Sequence, residues 1–316
     1  MRIFVSGSLA YDRIMDFKGL FGDHILPDKI HDINVSFYVD TLEESFGGTA
    51  GNIAYTLSLL EEPVSIVAAA GNDFEAYRVW LESHKINTGR IRINGNLRTA
   101  FATIMTDQKD NQIAAFYPGA MQVPYTLSEH TFDPDSFVIV APGNPDDMRA
   151  IPEFCRKRGI PFMFDPGQQI ITLSGDDLKN GIEGSKVCIV NDYELAMVTK
   201  KTGWDTEEIA KHTEILVTTL GANGSEIRKD GMIIKAPPGK PKNVSDPTGA
   251  GDAYRAGFTH GLLKGWPLET IGKFAGLVAC YTVELKGTQT HIFNRISLGA
   301  RYKENFKESL PLTTEI

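Results

Sequence analysis

The sequence predicts an α/β fold: a mostly parallel central sheet flanked by helices, with a small second β-sheet attached. Three observations predict it. Short β-rich apolar runs alternate with longer helical patterns along most of the chain, which is the rhythm of βαβ units. Two long helical patterns close the chain, at 249–264 and 268–285. Two segments, 13–42 and 95–118, break the rhythm with apolar residues at every second position, as in half-exposed strands.

The elements follow in order. Met1-Arg2-Ile3-Phe4-Val5 opens as a strand at 3–6, without the long apolar core and cleavage site of a signal peptide. The first insertion contains Val35-Ser36-Phe37-Tyr38-Val39, which alternates. A helix is expected at 50–60, a strand at 64–69 and a helix at 74–84. The second insertion contains runs at 99–106 and 112–117, separated by polar Asp107-Gln108-Lys109-Asp110-Asn111. Both insertions read as antiparallel strands; edge strands of the main sheet are the alternative. Further strands are expected at 137–141, 161–165, 187–191 and 215–219, with helices at 145–158 and 193–201. No internal repeat is visible.

Composition narrows the function classes. The 316 residues are 42% hydrophobic and 23% charged, an ordinary globular balance. Net charge is −8 and the isoelectric point about 5.4. An acidic chain without a basic run is a poor partner for nucleic acid or an anionic membrane. Cys155, Cys188 and Cys280 are isolated and odd in number, which suits a reducing cytoplasm and excludes a disulfide framework or a Cys-based zinc site. No apolar run approaches the ~18 residues of a membrane span. The seven histidines form no metal-binding spacing.

The most informative stretch is Ser245-Asp246-Pro247-Thr248-Gly249-Ala250-Gly251-Asp252-Ala253-Tyr254-Arg255-Ala256-Gly257-Phe258. It is a small-residue turn running into a helix. Gly249, Ala250 and Gly251 let a ligand approach the backbone closely, and the N–H groups of the first helical turn favour an anion there. Asp252 follows at once, placed to take a proton while those amides stabilise the resulting charge. An anion hole with a built-in base suits phosphoryl transfer to a hydroxyl. In isolation, Asp252 would be a helix-terminal carboxylate interacting with the dipole.

This stretch resembles the second signature of the ribokinase-like family, the PfkB carbohydrate kinases. Three further segments match in family order: Gly47-Gly48-Thr49-Ala50-Gly51-Asn52-Ile53-Ala54, Asn191-Asp192-Tyr193-Glu194 and Thr219-Leu220-Gly221-Ala222-Asn223-Gly224. The resemblance runs from Met1 to about residue 295 and implies one domain over 1–316. It makes the insertions a β-lid over the substrate, with a homodimer through that lid left open. It makes Asp252 the catalytic base beside the Gly249-Ala250-Gly251 anion hole. Asp12, Gly47, Gly48 and Asn52 would cradle the sugar; as a bare residue, Asp12 could be a turn-former. Asn191 and Glu194 would organise Mg²⁺ through water, although N-x-x-E is also an ordinary capping pair. Thr219, Gly221 and Gly224 would lie along the nucleotide, or form a turn feeding a hairpin. Gln289 and His291 would lie near its base. Asp246 would sit by a monovalent cation such as K⁺, or order the turn.

The resemblance implies ATP as co-substrate. No G-x-x-x-x-G-K-[ST] loop exists, so a Walker-type enzyme is excluded, and no G-x-G-x-x-G follows the first strand, against a nicotinamide dehydrogenase. The second signature is more similar to bacterial and archaeal nucleoside kinases, including adenosine kinases, than to ribokinase proper. Phe116-Tyr117-Pro118-Gly119-Ala120-Met121 points the same way. Phe116, Tyr117, Phe37 and Met121 could stack a purine between lid and core, or merely glue the lid to the sheet. The expected activity is transfer from ATP to the 5′-hydroxyl of adenosine. A kinase of ribose or fructose, and an inactive nucleotide-binding relative, remain as alternatives.

Overall fold

The computed structural model describes residues 1–109 and 111–311; Asp110, in the polar linker of the second insertion, lies outside them. Nine strands form the main sheet, in the order Met232–Ala236, Ser225–Lys229, Leu216–Thr219, Val187–Asn191, Phe162–Phe164, Ser136–Val140, Arg2–Ser6, Val64–Gly71 and Ile91–Asn94. The last seven of these run parallel, and the hairpin Ser225–Lys229/Met232–Ala236 adds an antiparallel edge.

Alternation along the central strands builds two cores. Ile3 and Val5 point to one face, where they pack with Ile53, Leu57, Tyr77, Phe258 and Ala275 from four helices. Phe4 points to the other, against Met148, Ile151 and Ile182. A sheet buried on both faces requires continuous apolar strands, and Ser136-Phe137-Val138-Ile139-Val140 is buried throughout. Helix Pro145–Arg158 shows how local sequence sets the ends. Asn144 caps its N-terminus by accepting from the Asp146 and Asp147 N–H groups, Pro145 starts the first turn, three basic residues fill the last, and Gly159 closes it at φ 65°.

A second sheet stands apart, in the order Thr41–Gly47, Ala10–Asp16, Ala100–Thr106, Gln112–Tyr117. No ladder joins it to the main sheet among the described residues, so the edge-strand alternative falls. Two details of the expectation are corrected. The central pair, Ala10–Asp16 with Ala100–Thr106, is parallel; only the outer pairs are antiparallel. Residues 35–39 form no strand. Phe37 instead packs its ring 5.0 Å from Phe17 and 5.2 Å from Phe21, and the His24 ring joins them. Clustered rings bury their apolar area without a ladder, so alternation alone misled. The structure also adds strand Ile91–Asn94 and helices Gly175–Ile182, Thr206–His212 and Arg295–Phe306. Among the described residues, no helix is long and apolar enough to cross a membrane.

Candidate active site

The chain leaves strand Arg2–Ser6 toward Val64–Gly71 on one side and later returns as Ser136–Val140 on the other. Such a switch point opens a crevice beyond the carboxyl ends of the strands. Helix Thr49–Leu59 starts there. Its Thr49 N–H donates to Ser8 Oγ at 3.0 Å, and Thr49 Oγ1 donates to the Pro142 carbonyl at 2.7 Å.

Helix Ala250–Leu263 points its N-terminus at the same place. Gly249 caps it at φ 81°, a left-handed conformation that a side chain would strain. Among the described residues, the N–H groups of Gly251 and Asp252 have no acceptor, as expected of a first helical turn. Asp252 accepts from Asn52 Nδ2 at 2.9 Å, across 200 residues of sequence. Burial pushes the Asp252 carboxyl above the usual carboxylate range; Glu194 adds to the shift, while Arg255 and the Asn52 bond oppose it.

The lid sheet brings Asp12 to this crevice. Burial raises its pKa first, and the charges of Asp246 and Asp252 raise it further. Its side chain lies against Gly47, where a Cβ would stand 2.3 Å from Asp12 Oδ2. Gly48, at φ 87°, then turns the chain into helix Thr49–Leu59. No hydrogen bond to the Asp12 carboxylate exists among the described residues. Ser45, Asp12, Ala102 and Phe116 stand side by side in one register row across the four strands. Side chains in one row share a face, so Phe116 projects on the same side as Asp12, and it is exposed. Tyr117 takes the opposite face, packed at 5.1 Å on Phe101. Phe37 lies in the aromatic cluster already described. Neither stands beside Phe116, which corrects the shared stacking surface expected of them. Met121 lies in the turn Gly119–Gln122, where its carbonyl accepts from Asn144 Nδ2.

Other expected site residues are placed as follows. Asn191 and Glu194 cap each other: Glu194 N–H donates to Asn191 Oδ1 at 2.7 Å, and Asn191 N–H to Glu194 Oε2 at 2.8 Å. Thr219 ends a strand, and residues 221–223 form an exposed turn. Gly224 enters the hairpin at φ 88°. Asp246 accepts from the N–H groups of Thr248 and Gly287. Burial opposes its ionisation, but these bonds and Lys286 outweigh that and lower its pKa. These bonds order the turn, one of the two readings of Asp246. Gln289 and His291 are 4% and 1% exposed. Both His291 ring nitrogens sit against hydroxyls, of Thr56 and Thr282, and burial pushes its pKa down to about 4. Both side chains are thus engaged within the protein.

Sequence reasoning missed a buried ion pair. Arg255, one helical turn beyond Asp252, is 9% exposed and faces Asp165, 1% exposed at the end of strand Phe162–Phe164. Its Nη2 donates to Asp165 Oδ1 at 2.7 Å, and its Nε meets Oδ2. Its Nη1 would lie 2.5 Å from a Cβ on Gly251, so the guanidinium also flanks the helix N-terminus. Burial raises the Asp165 pKa to about 7 against the pull of Arg255. The only signals were an Arg inside a small-residue helix and an Asp ending an apolar strand.

With this geometry in view, similarity to known proteins decides the family. The model of the pfkB family carbohydrate kinases matches residues 11–294. The chain belongs to that family. A nucleoside kinase of Methanothermobacter thermautotrophicus is 35% identical over 84% of this chain and 87% of its own length. Two solved structures of Burkholderia thailandensis nucleoside kinase superpose closely. The inosine complex gives a TM-score of 0.85 at 33% identity, covering 98% of this chain and 100% of the other. The ADP-inosine complex gives 0.82 at 36% identity, covering 99% and 100%.

One stability prediction follows from the ion pair of this family member. Arg255→Met leaves Asp165 buried without its partner, and breaking a buried pair from one side costs ~3–5 kcal/mol. Urea unfolding is expected to lose that much. A loss under ~1 kcal/mol, the range of an exposed pair, would show that the pair is not desolvated.

Proposed function

We propose that this kinase transfers the γ-phosphate of ATP to the ribose 5′-hydroxyl of a purine nucleoside, with adenosine as the first acceptor to test. The observation that carries the reading is the opposition of Asp252 and Asp12. One carboxylate heads a helix with free N–H groups. The other faces it from the lid without a hydrogen-bond partner among the described residues.

Asp12 would accept from two sugar hydroxyls, and Gly47 and Gly48 would let the sugar lie close. Asp252 would take the proton of the attacking hydroxyl, while the Gly251 and Asp252 N–H groups stabilise charge on the transferring phosphoryl. The exposed turn at 221–223 and Thr219 would lie along the donor. The ADP-inosine complex of a relative 36% identical supports an adenine nucleotide as donor and a purine nucleoside as acceptor.

Among the described residues, no three His, Cys, Asp or Glu side chains converge as a metal cage. This fits Mg²⁺, which keeps several waters and binds through few carboxylates and the substrate phosphates. Asn191 and Glu194, fixed by their mutual cap at a strand end, would order those waters. When bound, Mg²⁺ would neutralise charge on the phosphates.

The primary test is an ADP-release assay with ATP and Mg²⁺ over a panel of nucleosides and free sugars. Adenosine or inosine is expected to give the highest kcat/KM. Preference for free ribose or fructose would replace the nucleoside reading with a sugar kinase, and no turnover would leave a nucleotide-binding relative.

Two variants probe the roles. Asp252→Asn is expected to lower kcat by at least ~10²-fold. The base must be ionised, and burial raises its pKa. Wild-type kcat should therefore fall as the pH drops through a value above the ordinary carboxylate range. A variant keeping a tenth of wild-type kcat removes Asp252 from the base role. Phe116→Ala is expected to weaken kcat/KM for adenosine ~5- to 150-fold, the scale of base–aromatic stacking, with free ribose unaffected. Equal losses for both would assign Phe116 to lid packing alone.

A further inference from the structure

A chain of hydrogen bonds ends on Asp252, and its direction is fixed by chemistry. The Trp80 indole Nε1–H donates to Gln289 Oε1 at 3.0 Å. Gln289 Nε2 donates to Asn52 Oδ1 at 3.1 Å. Asn52 Nδ2 donates to Asp252 Oδ2 at 2.9 Å. An amide side chain can present either its oxygen or its nitrogen to a neighbour, so each link could in principle be reversed.

Two groups prevent that. Trp80 can only donate, so it selects the Gln289 oxygen. Tyr77 spends its single proton on the Gly47 carbonyl at 2.8 Å, so toward Gln289 it can only accept, and it does so at 2.6 Å. Both select the same orientation of Gln289. Its second N–H then selects the Asn52 oxygen, and Asn52 is left with its N–H groups toward Asp252. Tyr77 and Gln289 are buried, so water does not compete for these bonds.

The fold reserves space for the chain. A Cβ on Gly51 would stand 1.9 Å from Tyr77 Oη and 3.0 Å from Gln289 Nε2. Any side chain at that position, one residue before Asn52, would displace the middle of the relay. Trp80 is held in turn by rings: Phe46 at 5.8 Å, Tyr55 at 6.1 Å and His84 at 4.3 Å.

We infer that Trp80 and Gln289 are positioning residues that act through Asn52, holding Oδ2 of Asp252 in a donated hydrogen bond and leaving Oδ1 to receive the acceptor's proton. The inference rests on the reading of Asp252 as the base. Without the Trp80 donor, Gln289 loses one of its two constraints. Asn52 can then turn its oxygen toward the carboxylate, and two oxygens repel. The charged groups facing Asp252 are Arg255, Glu194, Asp165 and Asp12. Arg255 is already engaged with Asp165.

The test compares Trp80→Phe, which keeps a ring and removes the N–H, with Gln289→Met, which keeps length and removes both polar ends. The nucleoside that the wild type prefers serves as acceptor. For one orienting hydrogen bond, Trp80→Phe is expected to lower kcat ~2- to 10-fold with acceptor KM and melting temperature unchanged. Gln289→Met should lower kcat at least as far. The double variant should match Gln289→Met alone, because the links act as a unit. Wild-type kcat in both variants, a loss confined to KM, or losses that multiply in the double variant would each overturn the inference. If Trp80→Phe lowers the melting temperature, Gln289→Met alone decides, by whether kcat falls while KM holds. An active wild type with unaffected variants would sink only the relay. An inactive wild type would sink the functional reading and the relay with it.

Discussion

The hydrogen bond from Asn52 to Asp252 is the constraint on which the site depends. A half-buried carboxylate at a helix head is unfavourable unless something donates to it or carries an opposite charge. Here the donor comes from the first turns of one helix and the carboxylate from the first turn of another, 200 residues later. The bond therefore joins the two helix N-termini that face the crevice. Each terminus is fixed independently. Thr49 ties one to Ser8 and Pro142 at the ends of two strands. The Asp165–Arg255 pair ties the other to the end of a third.

The second sheet completes the geometry from above. Its Asp12 row faces the crevice and its opposite face carries Tyr11, whose hydroxyl donates to the Asp73 carbonyl at 2.8 Å. The base of the sheet is thereby anchored on the body while the row of Asp12, Ala102 and Phe116 overhangs the crevice. Phe46, at the foot of the sheet, stacks on Tyr77 at 4.5 Å, so the sheet rests on the residue that orients Gln289. A shift of this sheet would be felt at Asp252 through packed and hydrogen-bonded neighbours.

Much of this was legible in the sequence, for identifiable reasons. The parallel strands announce themselves because burial on both faces demands unbroken apolar runs such as Ser136-Phe137-Val138-Ile139-Val140. Gly249 and Asp252 are legible because few sequences need a left-handed turn followed at once by a carboxylate. Ile91–Asn94 was not legible, since a four-residue edge strand with Arg92 and Ile93 both exposed carries no alternation of burial. Phe37 misled because alternation marks strand pairing only when a partner strand is available. Arg255, Gln289 and Trp80 were obscure for another reason. Their roles arise from tertiary pairing between residues 90 to 237 positions apart, and local pattern contains no trace of that. Family resemblance places Gln289 and His291 near a nucleotide; the structure adds that both side chains are enclosed by the protein.

On the proposed function, the half-buried Asp252 serves a hydroxyl held in register with the donor phosphate, and not water. A single-turnover reaction with γ-labelled ATP, Mg²⁺ and adenosine tests this directly. The predicted result is one labelled 5′-monophosphate for every ADP formed, with label on the 5′-oxygen alone. Label released as inorganic phosphate at the rate of ADP formation would contradict it, because the carboxylate would then be activating water in an open crevice.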